Sequence, residues 1–246
     1  MAFPVVASSA ASNRSTDVST HNITMPAGIA AGDLLLVLFS FSGFAGSTVA
    51  TASAGWTKLG QANQSTNTTA FAAVFWKIAA GSDTLTVTTT DGRQSTAVAA
   101  RITGGGAVTG TSSVGTSNSG NPPSHNPPGA GDILWIATWT GEGTVIPSVL
   151  PAGFTSLMNV SGSGLANAAS STAYRPESIA TMDPGPFTNS SRDWVCWTLA
   201  VAPPIAAGRL LERKVSGAWV PQVVEKKVSG AWVPQIIERK DAGVWS

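Results

Sequence analysis

One cysteine and two histidines are all that this chain of 246 residues holds of the side chains that most often ligate transition metals or serve as nucleophile and base. A lone thiol excludes a disulfide framework and a cysteine-built zinc site. Cys196 stands between Trp194 and Trp197 in an apolar stretch, where a buried, inert thiol is expected. Charge is scarce too. Only 11% of the residues are charged and the net charge is +1, whereas a nucleic-acid binder would show a basic stripe. No segment keeps a 3.6-residue apolar period, so amphipathic helices are not expected. No apolar run is long enough to cross a membrane as a helix, and Met1 to Val6 lack a basic n-region and a long apolar h-region. The expected site of synthesis is a cytoplasm, with the product staying there or joining an assembly.

Catalytic signatures are missing as well. Gly-x-Ser-x-Gly, His-Glu-x-x-His, the Walker loop and the dinucleotide glycine fingerprint do not occur. Thirteen scattered acids offer no facing pair for glycoside hydrolysis. Asp33 and Asp132 lack acidic neighbours and are expected to bond turn amides instead of a cation. His21 and His125 are expected to be loop histidines bonded to backbone. The expectation is a non-enzyme without catalytic residues, cofactor or metal.

What the chain does contain is one stretch used twice. Ala31-Gly32-Asp33 runs into Leu34-Leu35-Leu36-Val37-Leu38-Phe39, and Ala130-Gly131-Asp132 runs into Ile133-Leu134-Trp135-Ile136-Ala137. Each is a turn followed by a short apolar run, the pattern of a central strand buried on both faces. Upstream, His21-Asn22 is echoed by His125-Asn126; downstream, Ala54-Gly55-Trp56-Thr57 is echoed by Ala152-Gly153-Phe154-Thr155. The matched positions stay 98 or 99 residues apart, so residues 1–204 read as a duplicated β unit with halves at about 1–104 and 120–204.

In order, strands are expected at Val5–Ala7, Val18–Thr24, Leu34–Phe41, Phe71–Ile78 and Thr84–Thr90. Asp91-Gly92 is then expected to turn a hairpin into Ser95–Ile102. Residues 103–129, rich in Gly, Ser, Thr, Asn and Pro, read as a connector. The second half repeats the order through Ile133–Thr140, Gly153–Met158, Ser170–Arg175 and Trp194–Val201. The fold class that follows is all-β: an antiparallel, jelly-roll-like β-sandwich from a duplicated unit, one sandwich in preference to two, since each half offers about five strands.

Pro203-Pro204 ends that body, and residues 205–246 carry three copies of a 13-residue unit. In each copy Ser-Gly or Ala-Gly separates a β-favouring stretch from Ala-Trp or Val-Trp, a two-residue hairpin signal. Pro221 and Pro234 are expected to separate the hairpins. Units this small cannot fold alone, so Trp219, Trp232 and Trp245, with Val215, Val228 and Ile236, are the candidate assembly residues. The segment holds seven of the fourteen Lys and Arg and nets +3, against −2 for the body. Solvated edge charges that suppress aggregation explain this better than a polyanionic partner.

Among the body aromatics, Trp135 and Trp139 share one face of a strand, while Trp194 and Trp197 fall on opposite faces. Exposed, Trp135 and Trp139 would stack on sugars; buried, they fill the core, which is the default. Trp56 and Phe154 read as matched plugs of the core.

The body segments PAGIAAGDLLLVLF, AGWTKL, FWKIAAGSDTLTVTTT and STAVAARITG resemble a β-sandwich of tailed-bacteriophage structural proteins, minor tail proteins in particular. The ending ERKVSGAWVPQVVEKKVSGAWVPQIIERKDAGVW is similar to the Gly-Ala-Trp repeats that close many such proteins. The resemblance implies a non-enzymatic virion component assembled in the host cytoplasm. It implies a homotrimer in contact with other virion proteins, in a tail tip or fibre that meets the host. The chain lacks the long shaft of a full fibre, which leaves a capsid decoration as the alternative. A further alternative is a carbohydrate-binding module taking a host-surface glycan.

Overall fold

A computed structural model describes residues 2–43, 47–51, 53–65, 69–128, 131–162 and 168–204. In the C-terminal segment it describes 211–215, 218–222, 225–228, 231–234, 240–241 and 244–245. Residues 1–204 and 205–246 form two separate compact units. None of the described residues is helical. The body strands are β1 (Val5–Ile23), β2 (Leu34–Gly43), β3 (Val49–Thr51), β4 (Thr57–Ser65), β5 (Thr69–Ile78), β6 (Leu85–Thr103) and β7 (Val108–Gly115). They continue with β8 (Ser119–Gly120), β9 (Ile133–Glu142), β10 (Thr155–Ser161), β11 (Ala168–Glu177), β12 (Phe187–Thr188) and β13 (Trp194–Val201).

Two antiparallel sheets carry the body. One runs β1-β6-β2-β5-β4, with β3 added beside β6; the other runs β7-β13-β9-β11-β10. These are the same order, half for half, so the duplication is a property of the fold. The halves make a single β-sandwich, each supplying one sheet. The chain does not alternate between sheets as a jelly roll does, because every strand finds its neighbours within its own half.

The two sheets meet through equivalent faces. Leu36 pairs with Trp76 and Ala100, and Ile136 pairs with Tyr174 and Leu199. All six belong to the apolar layer between the sheets. Superposing the two Gly-Asp motifs would instead match Leu36 to Trp135, which points to the outer face. The motif is therefore one residue out of step with the strand, and one residue is enough to exchange the faces. Alternation explains the rest of this layer: Leu34 and Leu38 of β2 and Leu134 of β9 point inward, while Leu35, Val37 and Phe39 point outward. Toward one end the layer turns polar. Ser40 bonds Thr140 (2.7 Å) and accepts from Ser170 (2.9 Å), and Thr96 bonds Ser170 (3.2 Å), so buried hydroxyls tie the halves together.

Both central strands are also buried on their outer faces, but by different means. In the first half the β1–β6 ribbon folds back on itself. Its pairing slips between Arg14 and Thr20, and beyond the slip its far arm lays Ile23, Leu85 and Val87 over Phe39, Phe71 and Phe75. Thr24 N–H donating to Ser12 Oγ (2.7 Å) and Ser8 Oγ–H donating to the Ala27 carbonyl (2.8 Å) hold the fold-back. In the second half loops and the short strand β12 do the covering: Phe154, Ile179, Met182 and Phe187 close over Trp135 and Trp139.

Several expected boundaries change for one reason. Val5–Ala7 and all of Val18–Thr24 but Thr24 belong to the single strand β1, and Ser95–Ile102 and all of Thr84–Thr90 but Thr84 to the single strand β6, because each long strand pairs with the other on both sides of the bend. Asp91-Gly92 therefore turns no hairpin. Gly92 is not among the glycines with positive φ, which a tight primed turn requires, and the Asp91 carboxylate accepts from Ser47 Oγ (2.7 Å). Within 103–129, expected to be a connector, lies β7, the edge strand of the second sheet, so the second half begins near residue 105 and not near 120.

Candidate functional site

Two places merit description as sites: the C-terminal hairpins and the crook where the β1–β6 ribbon folds back. The hairpins are β14 (Leu211–Val215) with β15 (Ala218–Gln222), β16 (Glu225–Val228) with β17 (Ala231–Pro234), and β18 (Lys240–Asp241) with β19 (Val244–Trp245). Val215 pairs with Ala218 and Val228 with Ala231, leaving two residues between the strands each time. The register repeats as the sequence does: Trp219 stands opposite Lys214, Trp232 opposite Lys227 and Trp245 opposite Lys240. Pro221 lies inside β15 opposite Glu212, and Pro234 ends β17, so the prolines belong to the hairpins and do not separate them. Ile236 lies outside the described residues.

The two tryptophans of the central strand β9 offer no binding face. Trp135 and Trp139 have no accessible surface, which removes them as a sugar platform. The space for Trp139 is made by glycine, since a Cβ at Gly120 or Gly141 would overlap its ring. Trp194 and Trp197 do face opposite ways, into the outer and the inner layer. Trp56 seals the outer core of its half, with its Nε1–H donating to the Thr84 carbonyl (2.9 Å). Cys196 is fully buried, and burial pushes its thiol well up.

Both histidine rings bond hydroxyls, and the His21 ring also bonds the Val18 backbone, as expected of a histidine of this kind. His125, half-buried, sits between Thr109 Oγ1 (2.9 Å from Nε2) and Thr111 Oγ1 (2.6 Å from Nδ1), edge-on to Trp135. His21 sits between Thr89 Oγ1 (3.3 Å from Nε2) and Ser95 Oγ (2.8 Å from Nδ1), edge-on to Phe39. Thr89 donates its own proton to the Asp91 carbonyl (2.6 Å); in the tautomer with the proton on Nε2 it accepts from that N–H, and Ser95 O–H donates to Nδ1. A serine hydroxyl donating to an imidazole is the start of a nucleophilic dyad. The rest is unsuitable: burial, then the nearby Arg14 charge, lower the ring to about 4, and a hydroxyl stands where a carboxylate would support the imidazolium. The two histidines lie over the outer faces of different halves and are not brought together.

His21 and Ser95 form the floor of a recess of about 460 Å³ in the crook of the ribbon. Its walls come from both arms of β1: Ser12, Asn13 and Arg14 on one, Asn22 and the following Thr24 on the other. Sequence reasoning missed this place. The polar stretch between the expected strands Val5–Ala7 and Val18–Thr24 reads as loop, and only the fold-back makes a concave wall of it. Asp33 behaves as expected, accepting from the Ala30 N–H (2.8 Å), which with the Arg101 guanidinium (2.6 Å) keeps its carboxyl below the usual range. Asp132 accepts from Ser178 Oγ (2.6 Å), which keeps it low. Among the described residues, no three His, Cys, Asp or Glu side chains cluster as a metal site would need. Comparison of the chain with known protein families, curated proteins and solved structures gives no match.

Proposed function

We propose that this is a non-enzymatic structural protein of the tailed-bacteriophage kind, a minor tail or tail-tip component whose C-terminal hairpins dock on other polypeptides of the particle or on further copies of the chain in a trimer. The observation that carries this is the repeated register of the hairpins. Three units of the same length place a Trp opposite a Lys at the same position, yet each is a two-stranded piece too small to be stable by itself. A Trp buries roughly 150–250 Å² on docking, so three equivalent ones supply a sizeable contact. The body fits the part of a self-sufficient unit. Its central strands are covered on both faces, and its nearest approach to a nucleophile, Ser95 with His21, lacks the basicity and the carboxylate that catalysis needs.

The test is removal of residues 205–246. The truncated chain should fold as a sandwich, with the near-ultraviolet signal of its buried Trp residues retained, and should fail to enter particles. Incorporation at the full level would end the proposal. Immunogold labelling that falls on heads and not on tails would move the same docking role to a capsid decoration.

A further inference from the structure

We infer that the crook of the β1–β6 ribbon is a binding pocket for an acidic saccharide, a sugar unit that bears a carboxylate. At about 460 Å³ the recess falls in the range of small-molecule sites, well above what single waters need. Arg14 is the one charged side chain among the described residues that line it, and no carboxylate does. A guanidinium presents paired donors in the geometry a carboxylate accepts. The rest of the wall joins the apolar Ala11 and Ile23 to hydroxyl and amide groups of Ser12, Asn13, Asn22 and Thr24. Such groups both donate and accept, which sugar hydroxyls require and a bare anion does not.

The wall is also held in place before any ligand arrives. Ser12 Oγ accepts from the Thr24 N–H (2.7 Å), Asn22 Oδ1 accepts from Thr86 Oγ1 (3.0 Å), and the Asn13 amide donates to the Ser161 carbonyl across the sandwich (3.1 Å). Side chains fixed in this way lose little freedom on binding. His21 beneath them stays uncharged at neutral pH, so Arg14 alone sets the charge preference. The inference concerns the body and stands apart from the docking role of the hairpins.

The experiment titrates the full chain with glucuronic acid and with N-acetylneuraminic acid, following amide shifts by NMR at constant ionic strength. Glucose and sodium acetate serve as controls. Saturable binding of an acidic sugar is expected, at least tenfold tighter than either control. Arg14→Ala should weaken it at least tenfold and Arg14→Lys recover part of the loss, with the melting temperature unchanged because Arg14 is exposed. Acetate binding as tightly as the sugars would reduce the pocket to a simple anion site, and glucose binding equally would remove the role of charge; either overturns the inference. So does failure of both acidic sugars to saturate, or an Arg14→Ala variant that binds as before.

Discussion

The two halves of the body share their strand order and their inner layer, yet they differ in almost everything that covers the outside. Leu35 pairs with Lys77 and Arg101; its counterpart Trp135 pairs with Arg175 and Ala200. A small central residue with a long cation beside it has thus become a large ring with a methyl beside it. The charge network changes accordingly. Arg101 is the partner of Asp33 in the first half, whereas Asp132, with Ala200 in place of that arginine, takes the Ser178 hydroxyl. Inner-layer residues must fit their pseudo-symmetric counterparts, so both halves are constrained at once. An outer face needs only a cover of its own, and a folded strand ribbon serves as well as a pair of loops. This freedom is what left a concave polar crook in the ribbon of the first half.

The largest effects are expected at the matched outer aromatics. Phe39, flanked by Ala73 and Ala97, corresponds to Trp139, flanked by Ser171 and Cys196. Phe39→Ala and Trp139→Ala should each cost about 3–5 kcal/mol in denaturant unfolding. A well-tolerated Trp139→Ala would show that the loop cover is not a core and would break the equivalence.

Next comes pH. His21 is held at about 4 against an ordinary 6.5, so the folded form binds its proton less readily than the unfolded chain does. Stability should be complete above pH 6.5 and decline by roughly 3 kcal/mol as the pH falls toward 4. The low carboxyls of Asp33 and Asp83 add their losses only below that window. His21→Gln should flatten most of the slope measured by urea unfolding across that window. His125→Gln should flatten less of it, since that half-buried ring is displaced by burial alone. An unchanged slope in the His21 variant would contradict the buried, neutral ring.

A smaller and symmetric effect is expected at the turns that precede β4 and β10. Gly55 and Gly153 share a φ of 78°, and the side chains of Lys77 and Arg175 lie over them. Alanine at either should cost about 1–2 kcal/mol for the left-handed backbone. Melting temperatures that fall by very different amounts would show that the turns are not equivalent. The smallest effect belongs to the hydroxyl bridge between the halves. Ser40→Ala should cost about 1 kcal/mol, and adding Thr140→Val should cost little more, a coupling that a double-mutant cycle reads directly.

Much of this was legible along the chain, because strand content, duplication and hairpin repeats are local patterns. Leu34–Phe41, Phe71–Ile78 and Trp194–Val201 declare themselves as buried strands by apolar content, and the Gly between β-favouring runs announces each C-terminal hairpin. Asp91-Gly92 shows where local reading stops. The dipeptide is an ordinary turn signal, but β6 runs on through it, paired with β1 on both sides of a slip in register. The same holds for the polar stretch between Ala7 and Val18, which reads as loop although it belongs to one strand, β1, bent over a core.

The amino-acid order alone determined that the body is made of strands in two related sets and that the tail is three copies of one hairpin, since turn chemistry and apolar alternation act over a few residues. Only tertiary structure decided which face of each sheet turns inward, how each outer face is roofed, and that a histidine, a serine and an arginine from a bent ribbon line one recess. Those outcomes depend on pairing between residues far apart in the chain, where a shift of one position exchanges inside for outside.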